Sequence, residues 1–218
     1  MRVLSLAQAR TQYAVTRPHE FEVIRQPMYD YQVYAAAGQA NLAFFQVPIG
    51  GSLGGVVRTK KDTNMEGAGV FPNPKSFLLE SIEVWFRPGT NLFTGDVAGN
   101  AAAYLNDVQA FDESGYLELF ISSKTYLTDG PMNVFPVRSR LAMNAALSDA
   151  TTAAASQQSR AMFAQAAGQI YTIDPPIYLP SQTNFNITLY WPVAVALPSA
   201  TNGRVGVRMG GAFYRQSQ

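Results

Sequence analysis

One histidine, fifteen carboxylates and no cysteine make up the acid–base and nucleophilic repertoire of this 218-residue chain. His19 lies in the run RPHEFEV and reads as a surface or interface histidine, not a catalytic base. A single imidazole cannot supply the ligand cluster of a catalytic metal, and without cysteine there is no thiolate site. The run Gly50-Gly51-Ser52-Leu53-Gly54-Gly55 is rich enough in glycine to suggest a phosphate cradle. It lacks the Gly-Lys-Ser/Thr ending and is followed by no helix pattern, so it reads as a loop between strands. Glu80 and Glu83 stand three apart on an expected strand, which sends them to opposite faces. Asp112 and Glu113 read as turn residues beside Ser114-Gly115. No catalytic, cofactor-binding or metal-ligating residue is assigned, and the chain is expected not to be an enzyme.

Binding chemistry has more support than catalysis. The net charge is +1, which gives no global field to attract nucleic acid or anionic membrane. The adjacent basic pair Lys60-Lys61 is followed at once by Asp62. The first 28 residues form an arm with Arg2, Arg10, Arg17 and Arg25 against Glu20 and Glu22, enough for a weak contact with genome or an internal membrane. Tyr29, Tyr31 and Tyr34 alternate along one run and either line a sugar- or protein-binding face or form the outer face of an ordinary strand. Together with Trp85 and Trp191 they are the candidates for stacking on a sugar. Trp191 shares its face with Phe185 and Ile187, which points it toward a core.

Composition narrows the class. Hydrophobic residues make up 47%, which suits a folded chain, but charged residues only 14% against a usual share of about 25%. A compact monomer of 23.7 kDa exposes on the order of 9,800 Å². Sixteen basic and fifteen acidic residues then stand one per roughly 320 Å², where average composition gives one per about 180 Å². Much of this surface is therefore expected to meet other protein, since interface cores lose charge and gain Tyr, Phe, Met and Arg. The uncharged stretches 31–57 and 175–203 are broken by Pro, Gly, Asn and Gln and do not read as membrane helices. The apolar run Val3–Ala7 is too short for a secretion signal.

The positioning elements are mostly strands. Ser76–Arg87 alternates Leu78, Ile82, Val84 and Phe86 on one face with Leu79, Ser81, Glu83 and Trp85 on the other. Gly115–Ser122 and Asn184–Trp191 alternate in the same way. Weaker strands are expected at 41–49, 124–127, 170–173, 177–179, 193–197 and 204–214, giving eight or nine in all. Helices are expected over Ala98–Phe111, within 3–12, and around Ser159–Ala167 inside a long Ala/Ser/Gln-rich loop. With no repeat and no linker, the chain reads as one all-β domain over 1–218, a sandwich or barrel with short helical insertions.

The stretches FPNPKSFLLESIEVWFRPG (71–89), DPPIYLPSQTNFNITLYWP (174–192) and RVGVRMGGAFYRQSQ (204–218) resemble the jelly-roll coat proteins of icosahedral, tailless bacteriophages. What they share is general character and no diagnostic motif: both are strand-rich, cysteine-free and charge-poor, with Ala/Gly/Gln loops. The resemblance implies a two-sheet jelly roll, single because the chain is too short for two, that assembles with copies of itself and with other virion proteins. It implies no cofactor and no small-molecule substrate, and a place in the virion after assembly in the host cytoplasm. The competing expectation is a carbohydrate-binding sandwich.

Overall fold

The computed structural model describes residues 21–90, 97–127, 130–138, 144–148, 159–163 and 168–216. Two antiparallel sheets lie face to face. The first joins β1 (Phe21–Arg25) and β2 (Met28–Tyr34) to one edge of β13 (Gly203–Gln216), whose other edge carries β6 (Ser76–Arg87) and then β11 (Tyr171–Leu179). The second runs β3 (Asn41–Phe44), β12 (Phe185–Tyr190), β7 (Tyr116–Ile121) and β8 (Lys124–Leu127). Two small hairpins lie outside these sheets: β4 (Ser52–Leu53) with β5 (Val56–Val57), and β9 (Asn144–Ser148) with β10 (Ser159–Phe163). One helix, α1 (Val97–Glu113), connects β6 to β7. The chain is thus an all-β sandwich with a helical insertion.

Pro27 explains why β1 and β2 are separate, because it cannot donate to the β13 ladder. Counted as one strand, they make eight principal strands among the described residues. In chain order the first sheet then runs first, eighth, third, sixth, and the second runs second, seventh, fourth, fifth.

The period-2 pattern buries one side of each sheet. Ile82, Val84, Phe86, Val205, Val207 and Met209 meet Leu117, Leu119, Ile187 and Leu189 across the interior. Toward one end Tyr34, Phe86, Phe111 and Trp191 pack together, with Phe86 and Phe111 stacked at 4.3 Å. Toward the other Phe71 joins Phe77, Phe185 and Phe213. Such ring pairs add roughly 0.5–1.5 kcal/mol each beyond the area they bury.

Strict alternation fails within β6. Ser81 pairs with Gly210 and Leu79 with Gly211, so Glu80 is an extra residue in β6. A bulge of this kind reverses the phase of the strand. Leu79, on the face opposite Ile82 by strict alternation, joins the main core cluster with Phe77, while Leu78 is buried outside that cluster. Opposite it, β11 skips from Thr172 to Ile177 in register, because Pro175 and Pro176 have no N–H to give. The two strands expected at 170–173 and 177–179 are therefore one.

Other expectations are corrected. The segment around Ser159–Ala167 contributes β10 of a hairpin where a helix was expected. Residues 193–197 form a loop: Tyr34 donates its hydroxyl to the Val195 carbonyl at 2.7 Å, and Leu197 N–H donates to Ala36. Pro192 and Pro198 bound this segment and withhold donors from any ladder. The helix extends through Asp112 and Glu113, so neither is a turn residue. Residues 21–25, counted within the arm, form a strand of the first sheet. His19 and the helix expected within 3–12 lie outside the described residues.

Candidate functional site

Alternation leaves the odd-numbered residues of β2 and the even-numbered start of β13 on the outer side of the first sheet. Three rows cross it: Val33–Arg204–Arg87, Tyr31–Gly206–Trp85 and Tyr29–Arg208–Glu83. Gly206 matters here for space. A Cβ on it would collide with the Tyr31 ring, so the ring lies down across the strand. Arg204 covers that ring from 5.0 Å. Trp85 lies beneath two guanidinium groups, Arg138 at 5.4 Å and Arg208 at 5.5 Å. The Glu83 carboxylate holds this set together, accepting from Trp85 Nε1 at 2.9 Å and pairing with Arg138 and Arg208 at 3.2 and 3.7 Å.

Beside this face a cleft of about 1090 Å³ opens between β2, the β4–β5 hairpin and the residues after β6. Gly54 and Gly55 both have positive φ, as a two-residue type I′ turn requires, and they fold the glycine run into this hairpin. Its base is anchored by a buried ion pair between Arg58 and Asp30, both almost fully removed from solvent. Asp30 also accepts the N–H of Phe45, a bulky residue held at φ 68°. That conformation is strained for a side chain of this size, and the carboxylate is what holds it. Burial pushes the Arg58 guanidinium below its usual value; Asp62 opposes this and Arg204 adds to it. Asp62 is pushed up by burial but pulled further down by hydrogen bonds from Thr59 and by the charges of Arg204 and Arg58. Its net shift is downward. Arg58 Nε and Thr90 Oγ1 are buried in the cleft wall without a hydrogen-bond partner.

The outer side of the second sheet is different. Tyr116 and Tyr190 stack at 5.0 Å, Phe120 lies further along β7, and Thr188 donates to Asn186 at 3.2 Å. Glu118 is the single charge on this face among the described residues. Burial and the nearby Glu118 charge raise the Tyr190 hydroxyl, keeping it neutral.

Of the five proposed stacking residues, Tyr29, Tyr31 and Trp85 share the outer face of the first sheet. Tyr34 and Trp191 lie in the core. Glu80 and Glu83 do not divide between core and solvent: Glu80 pairs with Arg25, Glu83 with the arginines above, and neither enters the interior. The bulge at Glu80 is the reason. Gly50-Gly51-Ser52-Leu53-Gly54 has the spacing of a nucleophile elbow, which sequence reasoning overlooked. Ser52 stands on a hairpin strand, however, and an elbow requires a strand-to-helix turn. Among the described residues no three His, Cys, Asp or Glu side chains gather as a metal site. Sequence reasoning also missed the cleft and the arginine–aromatic face, because their parts come from five separated segments. The only available signal was the Arg204/Arg208 spacing along an alternating strand. Comparison with family models, curated proteins and solved structures finds no match for this chain.

Proposed function

We propose that the chain is a structural protein of a viral capsid, a coat protein built on a single jelly roll. The observation that carries this reading is the coupling of strands: first with eighth, second with seventh, third with sixth, fourth with fifth. An eight-stranded antiparallel ribbon rolled into two sheets produces these four couples, which is the connectivity of a jelly roll. The second sheet offers neighbours a charge-poor Tyr/Phe face of the type found in interface cores. The mechanism is geometric: a rigid sandwich presents fixed faces, and repetition of one contact under symmetry closes a shell. The partners are further copies of the chain and other virion proteins, and no reaction is catalysed.

Light scattering on a sizing column, with negative-stain images of the peak, tests this. Trimers, pentamers, rings or closed shells are expected. A monomer that persists at high concentration overturns the reading.

A glycan-binding sandwich is the second reading, favoured by the grouping of Tyr29, Tyr31 and Trp85. Against it, the Tyr31 ring is covered by Arg204 on one side and rests on Gly206 on the other, so a sugar must first displace the arginine. Glycan-array binding abolished by Tyr31→Ala would establish it, and an array with no binding would remove it.

A further inference from the structure

The near-neutral net charge conceals an uneven distribution. Among the described residues, Lys60, Lys61, Arg87, Arg138, Arg204 and Arg208 border the part of the first sheet's outer face around β2 and the start of β13, against Glu83 and Asp62, while Glu80 pairs with Arg25 further along the sheet. Asp62 answers Arg204 at 3.1 Å, and Glu83 answers Arg138 and Arg208. Arg87, Lys60 and Lys61 have no acidic partner among the described residues. Arg87 and Arg204 are moreover direct cross-strand partners. Like charges placed so repel and weaken a sheet. Both line the cleft, and the buried Arg58 in its wall keeps an unsatisfied Nε, with the unsatisfied Thr90 Oγ1 nearby in the lining. Arg87, without an acidic partner among the described residues, and its cross-strand neighbour Arg204 concentrate positive charge at this opening.

We propose that this cleft and the adjoining face bind the phosphate backbone of single-stranded nucleic acid. A phosphate between Arg87 and Arg204 replaces their repulsion with charge-assisted hydrogen bonds. Arg208 lies four residues further along β13, about 13 Å at the rise of a strand. One phosphate does not reach both ends, whereas a chain of phosphates does. Tyr29 and the guanidinium planes over Tyr31 and Trp85 supply flat surfaces for unpaired bases. The inference rests on this face alone and is independent of the coat-protein reading.

The test is fluorescence anisotropy of a labelled oligothymidylate of about 20 nucleotides, titrated with the full chain over salt from about 50 to 200 mM. Binding that weakens steeply with salt is expected. Arg87→Gln with Arg204→Gln should weaken it about tenfold and lower the slope of log K against log salt by about 0.7, the share of one phosphate. Lys75→Gln with Lys124→Gln, away from this face, should leave both values unchanged. Arg87→Gln alone should melt no lower than the parent, since it removes a repulsion. No binding of the oligonucleotide, binding to phosphatidylserine vesicles instead, or equal loss in the two double variants would overturn the proposal. Light scattering without nucleic acid reads assembly separately, so failure of one reading does not disguise failure of the other.

Discussion

The two outer faces of this sandwich are built on the same alternation and yet carry opposite chemistry. On the first sheet, arginines and aromatic rings interleave around Glu83. On the second, tyrosine, phenylalanine, threonine and asparagine surround Glu118, the single charge there among the described residues. The cores beneath them are equally apolar, so stability did not demand the difference. A face of paired arginines suits an anion, while a charge-poor aromatic face suits protein. On the two proposals above, one chain would hold a neighbour on one side and a polyanion on the other.

The most severe way to break this contrast is to remove the anchor of the basic side. Asp30→Ala leaves Arg58 buried without its counter-charge and the strained Phe45 without its acceptor. A loss of about 3–5 kcal/mol is expected in chemical denaturation. A loss below about 1 kcal/mol would show that the 45–65 segment holds its place by other means. Trp85→Ala takes the seat from Arg138 and Arg208 and should cost about 1–2 kcal/mol, from two cation–π contacts. An unchanged melting temperature would mean that Glu83 alone positions the two arginines.

Two carboxylates sharpen the comparison through pH. Asp62, on the basic side, has a lowered pKa, so its contribution is present above its ordinary value of 3.8 and is lost as pH falls through the folded value. Asp62→Asn should therefore destabilise at neutral pH and converge with the parent in strong acid. Asp112, in the last turn of α1, is raised by burial against a hydrogen bond from Val137, with Glu113 pushing the same way as burial. Its ionisation in the folded state costs stability as pH rises above 3.8. Asp112→Asn should raise the melting temperature at neutral pH, and the gain should fade below about pH 4. Thermal melts across pH would show the two effects with opposite slopes, and parallel slopes would contradict both assignments. The smallest effect on stability is expected from Tyr190→Glu on the second face, about 0.5–1.5 kcal/mol from the lost Tyr116 stack. Its consequence should appear in assembly, as a smaller particle by light scattering. An unchanged particle would remove this face from the contact.

Much of the fold was legible because period-2 alternation is local. Ser76–Arg87, Gly115–Ser122 and Asn184–Trp191 each announced their strand, and the core position of Trp191 followed from its neighbours. What misled was also local. The Ala/Ser/Gln composition around residue 160 favours a helix, and pairing with β9 overrode it. The alternation of β6 gave no sign that Glu80 would be a bulge, since a bulge depends on the partner strands, here the Gly210-Gly211 step and the Pro175-Pro176 interruption. The candidate site was less legible still. Arg87 and Arg204 lie 117 positions apart in the chain, and nothing in either segment indicates that they become neighbours.

By itself the sequence determined the class of this protein, all-β and poor in charge, because composition and periodicity are properties of short windows. Only the tertiary structure decided the strand order, which aromatic residues are core and which are surface, and the gathering of basic groups on one face. Those depend on which distant strands pair and in which register, and a shift of one residue would turn every side chain of a strand to the other side.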